Sequence, residues 1–220
     1  MPKQILTKDG SHTMYNELYD ECYHSEEGAW TECHHVFLEP CLRHGSKKDV
    51  LRVLDVGFGL GLNWLCFVNH HFKVKRKLEM VSLELDEELF KLSLDLEGIH
   101  LESPEVGSAL QELKKKRLVQ NESLNAKLML GAAKESLKNL IEEQASFDVI
   151  LQDPFSPQKN PECWDEEYFE LLRQLCKPGA VLFTYSVAGE VRRKLEKHGF
   201  KVSKEPGFAQ KKEQLVAILL

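Results

Sequence analysis

Val50-Leu51-Arg52-Val53-Leu54-Asp55-Val56-Gly57-Phe58-Gly59-Leu60-Gly61-Leu62-Asn63 is the stretch on which the reading of this chain turns. Seven mostly apolar residues read as a buried strand, and an apolar helical pattern from Leu60 to Phe72 follows the glycines. Glycine at every second position between a strand and a helix permits a tight turn whose bare backbone a ligand can approach. A structural strand-to-helix turn would use the same residues, so the context must decide between the two.

That context is an alternation of strands and helices, the pattern of a parallel sheet covered by helices. Leu78–Leu85 reads as a second strand, followed by a helix from about Asp86 to Leu96. Residues 97–125 interrupt the rhythm with Gly98, Pro104 and Gly107 and a lysine-rich helical stretch around Leu110–Val119, which reads as an insertion. Ala126–Leu130 is a third strand and Lys134–Gln144 a third helix. Phe147–Gln152 is a nearly all-apolar fourth strand, as expected of one buried on both faces. Asn160-Pro161 predicts a capped helix to about Cys176, Lys177-Pro178-Gly179 a turn, and Ala180–Tyr185 a fifth strand. A helix over 189–198 is expected to stop at Gly199. Lys201–Lys204 and Gln214–Leu219, joined without a helix, are expected to pair antiparallel. The fold class is therefore α/β, a Rossmann-like doubly wound sheet, mostly parallel with a C-terminal antiparallel hairpin. This is the class I S-adenosylmethionine methyltransferase variant of that sheet. Residues 1–45, with an Asp9-Gly10 turn, are expected to cap a domain spanning 46–220.

Glu84 ends the second strand, where a carboxylate can accept both ribose hydroxyls of a nucleoside. A dinucleotide fingerprint places its third glycine where this chain has Leu62, so the GxGxG spacing favours S-adenosyl-L-methionine. Asp153-Pro154-Phe155-Ser156-Pro157 follows the fourth strand, on the side of an open sheet where ligands bind. Asp153 is read as the catalytic residue, and the acceptor as an amine. At a pKa of about 10.4, only roughly one alkyl amine in a few thousand is neutral at pH 7, and only that form can attack a methyl group. A carboxylate can hold the ammonium, orient it and accept its proton.

Charge and composition set limits. The net charge of −6 argues against a general nucleic-acid coat, but residues 190–212 hold eight Lys or Arg against three Glu, while residues 1–40 hold two Lys against eight acids. The basic end suits either a local phosphate contact or a solvated helix face. Six scattered cysteines, without a CxxC pair, read as reduced thiols, and no metal is expected. No apolar run is long enough to span a bilayer and no secretory signal opens the chain, so a cytoplasmic protein without membrane contact is expected.

From about Tyr15 to the C-terminus the chain resembles the tRNA 5-methylaminomethyl-2-thiouridine methyltransferases, the methylating half of the bifunctional enzyme MnmC and its stand-alone relatives. The resemblance rests on the glycine turn (Gly57–Asn63), Ser82-Leu83-Glu84 and the run Asp153–Trp164. It extends through Ser186–Arg193, Gly207-Phe208 and Lys211-Lys212-Glu213. It implies methylation of the aminomethyl group of a tRNA wobble uridine in the anticodon loop. Asp153 then handles the amine, and Gly57, Gly59, Gly61 and Glu84 hold the cofactor. Around them the cofactor site is expected to include Asp55, Phe58, Asn63, Leu85, Gly131, Ala132 and Tyr23. Phe155, Lys159, Arg192, Arg193, Lys211 and Lys212 are expected on the tRNA side. Tyr23 fits either a segment folded over the cofactor or simple hairpin packing. The FAD-binding half of the bifunctional enzymes has no counterpart here, so another enzyme is expected to supply the aminomethyl group. Three positions depart from the family: Ala132 stands where Asp commonly contacts adenine, Pro154 where Gly is usual, and Gln210 where Arg is common.

Overall fold

The computed structural model describes residues 3–44, 49–92 and 101–220. Strands β1 (Lys3–Leu6) and β2 (His12–Asn16) form an antiparallel hairpin, and β3 (Glu21–Cys22) pairs with β2. The turn at Asp9-Gly10 depends on Gly10, whose φ of +83° suits a residue without a Cβ. The Asp9 carboxylate accepts hydrogen bonds from Thr7 Oγ1 (2.7 Å), Ser11 N (3.0 Å) and Thr31 N (2.9 Å), tying the hairpin to helix α1 (Ala29–Cys33). Burial raises its pKa, but the bonds from Ser11, Thr7 and Thr31 outweigh that and hold it well below the usual carboxylate range. Without a break α1 passes into a π-helical turn (His34–Leu38) and then α2 (Glu39–His44), burying Val36, Phe37, Leu38 and Cys41.

The main sheet begins with β4 (Val50–Val56), followed by α3 (Leu62–Val74), β5 (Lys77–Glu84) and α4 (Glu87–Leu92). Next come α5 (Pro104–Lys116), β6 (Leu118–Gln120), β7 (Leu124–Leu130), α6 (Ala133–Glu142) and β8 (Phe147–Gln152). The chain ends through α7 (Glu166–Gln174), β9 (Cys176–Thr184), α8 (Gly189–Lys197), β10 (Phe200–Pro206) and β11 (Glu213–Leu219). Spatial order is β10-β11-β9-β8-β4-β5-β7-β6. The five strands β4, β5, β7, β8 and β9 are parallel, while β11 joins antiparallel to β9 and pairs with β10 as a hairpin. The strand order reverses between β4 and β8, the place where doubly wound sheets open a crevice.

Alternating residues of the strands feed two cores. Val53 and Met80 pack with Trp64 and Leu65 of α3 and Leu110 of α5; Leu54 and Leu83 pack with α6, α7 and α8 through Leu137, Phe169 and Leu195. Each face of the sheet is thus covered, and β8 is buried along its whole length, as its apolar sequence predicts. All six cysteines are free thiols. Among the described residues no helix is long and apolar enough to cross a membrane.

Three local expectations are corrected. The helix expected through Val119 ends at Lys116; Arg117 turns left-handed (φ 56°) and Leu118–Gln120 becomes an edge strand antiparallel to β7. Asn121 makes the tight return, its side-chain oxygen accepting from Ser123 N (3.0 Å) and Leu124 N (2.8 Å). The helix expected from Asn160 is only a 3-10 turn at Pro161–Cys163, where Asn160 caps nothing. Trp164 breaks it with non-helical backbone (φ −138°, ψ 5°), and Asp165, itself extended, caps α7 by accepting from Tyr168 N (2.9 Å). The Lys177-Pro178-Gly179 turn lies inside β9 as a bulge: between the pairs Phe147–Cys176 and Val149–Val181 the extra residues of β9 are absorbed, with Gly179 at φ +76°. The last part of the helix expected to Leu96, and Gly98 of the insertion, lie outside the described residues.

If α7 starts at Asp165, Asp165→Ala costs about 0.5–2 kcal/mol of stability, the usual range for a lost N-cap. Urea unfolding measures it, and an unchanged midpoint would place the helix start elsewhere.

Candidate active site

The glycine turn is held open by the neighbouring strand ends. Gly57 N and Phe58 N both donate to Leu83 O (3.2 and 2.9 Å), and Gly61 N donates to Phe58 O (2.8 Å), so the chain doubles back before α3. Gly57 has a φ of +89°, and a Cβ there would lie 2.7 Å from the Asp153 carbonyl oxygen. Only glycine allows β4 and β8 to end this close. Asp153 N in turn donates to Val56 O (3.0 Å), which extends the ladder by one residue and brings the expected acid beside the turn. Gly59 N donates to Glu84 Oε2 and Asp86 N to Glu84 Oε1, each at 2.8 Å.

A cavity of about 1400 Å³ opens at these strand ends. That exceeds the roughly 300–1,000 Å³ of a single small-ligand pocket, leaving space for a cofactor and part of an acceptor together. Of the sequence-predicted residues, Gly57, Gly59, Glu84, Leu85, Gly131, Ala132 and Tyr23 line it, with Asp153, Phe155 and Lys211. Asp55, Phe58, Gly61 and Asn63 lie behind the wall. Phe58 packs on Phe90, ring centroids 5.9 Å apart, and Asn63 Nδ2 donates to Asp153 Oδ2 (2.7 Å). Lys159, Arg192, Arg193 and Lys212 lie outside it, with Lys159 paired to Asp20 (3.0 Å) and Arg192 to Glu196 (3.5 Å).

Sequence reasoning missed Tyr19, Glu32 and Tyr185, which share the cavity wall. Tyr19 stacks on Phe155 with centroids 4.4 Å apart, and Tyr23 meets the same ring at 4.9 Å. Tyr185 follows β9 and donates to Pro154 O (2.8 Å), so it had the strand-end position that singled out Asp153. Glu32 had no comparable signal, because its place depends on how α1 packs. It is 8% exposed and accepts from Ser25 N (2.7 Å).

The wall is rich in acids. Burial pushes the Asp153 carboxyl well above the usual range; Glu32 and Asp55 raise it further, while the Asn63 amide and Lys211 pull it down. Burial also raises Glu32 and Glu84. Asp55, buried behind the turn with Oδ2 accepting from Ser82 Oγ (2.8 Å), is raised to about 7, burial outweighing that bond. Buried carboxyls with raised pKa values gain from a cationic occupant, which repays the cost of ionising them. Among the described residues no cluster of His, Cys, Asp or Glu is arranged to hold a metal.

Comparison with known proteins identifies the cation. A family model described as S-adenosyl-L-methionine-dependent methyltransferase matches residues 98–219. The chain belongs to this methyltransferase family. It is 36% identical over 228 residues to the tRNA 5-methylaminomethyl-2-thiouridine biosynthesis bifunctional protein MnmC of Azoarcus sp., covering 96% of this chain and 34% of that protein. The Leptospira interrogans protein of the same name is 31% identical over 233 residues, again covering 96% of this chain and 34% of its own length. The chain therefore spans about a third of these curated relatives. The crystal structure of MnmC2 from Aquifex aeolicus superposes with a TM-score of 0.84 at 32% identity, covering 99% of this chain and 70% of that one.

The cofactor of this methyltransferase is S-adenosyl-L-methionine, and the cavity fits it. Bare backbone at Gly59 and Gly131 lies on the wall, nothing standing within 4 Å of a Cβ built on Gly131. The Glu84 carboxylate can accept from ribose hydroxyls, since each oxygen keeps acceptor capacity beyond its one backbone bond. Buried carboxyls on the acceptor side suit a sulfonium charge.

Two predictions follow from these groups. An Asp unfolded ionises near 3.8, so Asp55, ionising at about 7 when folded, stabilises the fold most below pH 4, and this contribution is lost as pH rises toward 7. Asp55→Asn flattens that segment of the stability–pH curve in denaturant titrations; an unchanged slope excludes Asp55 as its source. Ala132 begins α6 with no side-chain cap, so Ala132→Asp adds about 0.5–2 kcal/mol of stability. Ala132 also lines the cavity, so the same variant puts a new hydrogen-bond acceptor on the cofactor wall and is expected to tighten S-adenosyl-L-methionine binding, which calorimetry reads directly.

Proposed function

We propose that this chain transfers a methyl group from S-adenosyl-L-methionine to the 5-aminomethyl nitrogen of a tRNA wobble uridine, giving 5-methylaminomethyl(-2-thio)uridine. The observation that carries this reading is a half-buried carboxyl, Asp153, fixed by Asn63 beside the glycine turn and facing a cavity large enough for cofactor and acceptor. The names of the relatives, which concern 5-methylaminomethyl-2-thiouridine in tRNA, agree with an amine acceptor.

Bound S-adenosyl-L-methionine supplies an electrophilic methyl group on a sulfonium. The residues do the rest. Asp153 Oδ receives the aminomethyl group as its ammonium and takes one proton, leaving a nitrogen lone pair free to attack. Asn63 holds the carboxyl in one orientation from behind. Phe155, already in contact with Tyr19 and Tyr23, offers a ring face on which an unstacked anticodon-loop base can lie. Gly57, Gly59, Gly131 and Glu84 hold the cofactor, with Leu85, Ala132 and Tyr23 along its wall and Asp55, Phe58, Gly61 and Asn63 supporting the turn. The carbon–nitrogen bond forms as the methyl–sulfur bond breaks, the electron pair staying on the departing thioether sulfur; the product nitrogen is a secondary ammonium, and Asp153 returns its proton to solvent on product release.

Lys159, Arg192, Arg193, Lys211 and Lys212 are assigned to tRNA phosphates. Residues 1–45 serve as a cap on a catalytic domain of residues 46–220 with an insertion at about 97–125. The setting is cytoplasmic, and a separate enzyme supplies the aminomethyl group.

Labelled S-adenosyl-L-methionine and tRNA from cells lacking this activity test the proposal. Label enters tRNA, and Asp153→Asn lowers the rate by at least about 10²-fold, the scale of a lost general base. Label passing to free polyamines and not to tRNA would overturn it. Raising salt weakens tRNA binding in step with the number of phosphate contacts; salt-independent binding removes the basic residues from the account.

A further inference from the structure

The wall beside Asp153 contains a buried acid, Glu32, that the proposed chemistry has not used, and a cation, Lys211, given so far only a phosphate contact. Glu32 comes from α1 and lines the same cavity. Lys211, from the segment between β10 and β11, places its Nζ 3.8 Å from Glu32 Oε1 and 4.1 Å from the centroid of the Tyr185 ring. A carboxylate on one side and an aromatic face on the other are the two surfaces that recognise an ammonium group. The protein thus keeps one of its own ammonium groups at the edge of the acceptor cavity. His24 stands on the same wall, buried, with Nδ1 3.9 Å from Glu32 and no hydrogen-bond partner for Nε2. Burial, aided by Lys211, lowers its pKa to about 4, so it is neutral and does not compete for the carboxylate near pH 7.

We propose that Glu32 and Tyr185 form the second half of the acceptor-ammonium seat opposite Asp153, and that Lys211 is a placeholder cation which the acceptor displaces. Glu32 and Lys211 are positioning residues in this scheme: they set the charge of Asp153 without taking the proton. This inference rests on the reading that the acceptor is an amine.

The charges around the pair have defined signs. Asp153 is faced by Glu32 from α1 and Asp55 from β4, which disfavour its ionisation, and by Asn63 from α3 and Lys211, which favour it. Glu32 is faced by Lys211 and by the Ser25 amide, both favouring its ionised form, against the burial that opposes it. Tyr185 and the Cys33 thiol, also near Asp153, are both raised and stay neutral. Two neighbouring carboxyls titrate as a pair, and a resident cation lowers the cost of ionising them before the substrate arrives. The arriving ammonium then exchanges for Lys211 at constant charge.

Opposite signs make the test selective. Carboxyl carbon NMR of the substrate-free protein follows Asp153 through pH in wild type, Glu32→Gln and Lys211→Met. Glu32→Gln moves the Asp153 titration to lower pH and Lys211→Met moves it to higher pH, each by about one pH unit, the lower end for a neighbouring charge. With S-adenosyl-L-methionine and tRNA, the acidic limb of kcat/KM moves in the same two directions, and Glu32→Gln raises the acceptor KM more than it lowers kcat. Shifts of equal sign, or none in either variant, overturn the inference even if tRNA is methylated. Failure of wild-type protein to methylate tRNA overturns the amine-acceptor reading instead, and the substrate-free titrations still decide whether Glu32 and Lys211 act on Asp153.

Discussion

The close approach of two backbones, at Gly57 and Asp153, is the constraint on which the rest of the structure depends. A single Cβ on Gly57 would overlap the Asp153 carbonyl at 2.7 Å, and the left-handed φ of Gly57 would be strained with any side chain. Because that Cβ is missing, Asp153 N can bond to Val56 O, so β4 and β8 end side by side at the point where the sheet order reverses. The glycine turn on the cofactor cavity and the carboxyl proposed to meet the acceptor are thereby joined by one hydrogen bond rather than by a long chain of packing. Glu84 is fixed to the same turn from the other side through the Gly59 amide. Three strand ends therefore act as one rigid frame, and geometry at the reacting centre does not depend on the loops around it.

That frame concentrates acid in an apolar setting. Asp55, Glu84 and Asp153 are each raised by burial, and Glu32 adds a fourth acid from outside the main sheet. Such a cluster works against stability near neutral pH, when ionisation of the unfolded chain is easier than that of the folded one. Proteins retain such groups where function needs them. Here the family's cofactor carries a sulfonium, and the proposed acceptor carries an ammonium. The arrangement that costs stability in the free protein becomes favourable once cations fill it.

The parts legible in the sequence were those set by local rules. Strand β8 matches its expected bounds because Phe147 and Val149–Leu151, four apolar residues among six, have few alternatives in a covered parallel sheet. The glycine turn, Glu84 and Asp153 were legible because strand ends have a known relation to the crevice. The split before α7 was hidden because Asn160-Pro161 and Asp165 are both good helix starts, and only the break at Trp164 chooses between them. Strand β6 is three residues long, too short for alternation to show. Glu32 and Lys211 lie far apart in sequence and meet only because α1 and the β10–β11 connection flank the same cavity. Their pairing is a tertiary fact that no local pattern encodes.

The charge distribution of the whole chain then gains a consistent reading. The cavity wall includes Glu17, Glu21, Glu26 and Glu27 from the acidic N-terminal segment and Glu87 and Glu88 beside β5. A polyanion is repelled from such a wall, so phosphates of the proposed tRNA partner have to stay outside it. Lys159 is next to the lining residue Asn160 and Lys212 next to the lining Lys211, which places positive charge at the edge. On the proposed function, an anticodon loop held at that edge by its backbone passes only an unstacked base inward, led by its cationic arm toward Asp153 and Glu32. The negative net charge, which taken alone argues against a nucleic-acid partner, on this reading excludes every part of the RNA except the one to be methylated.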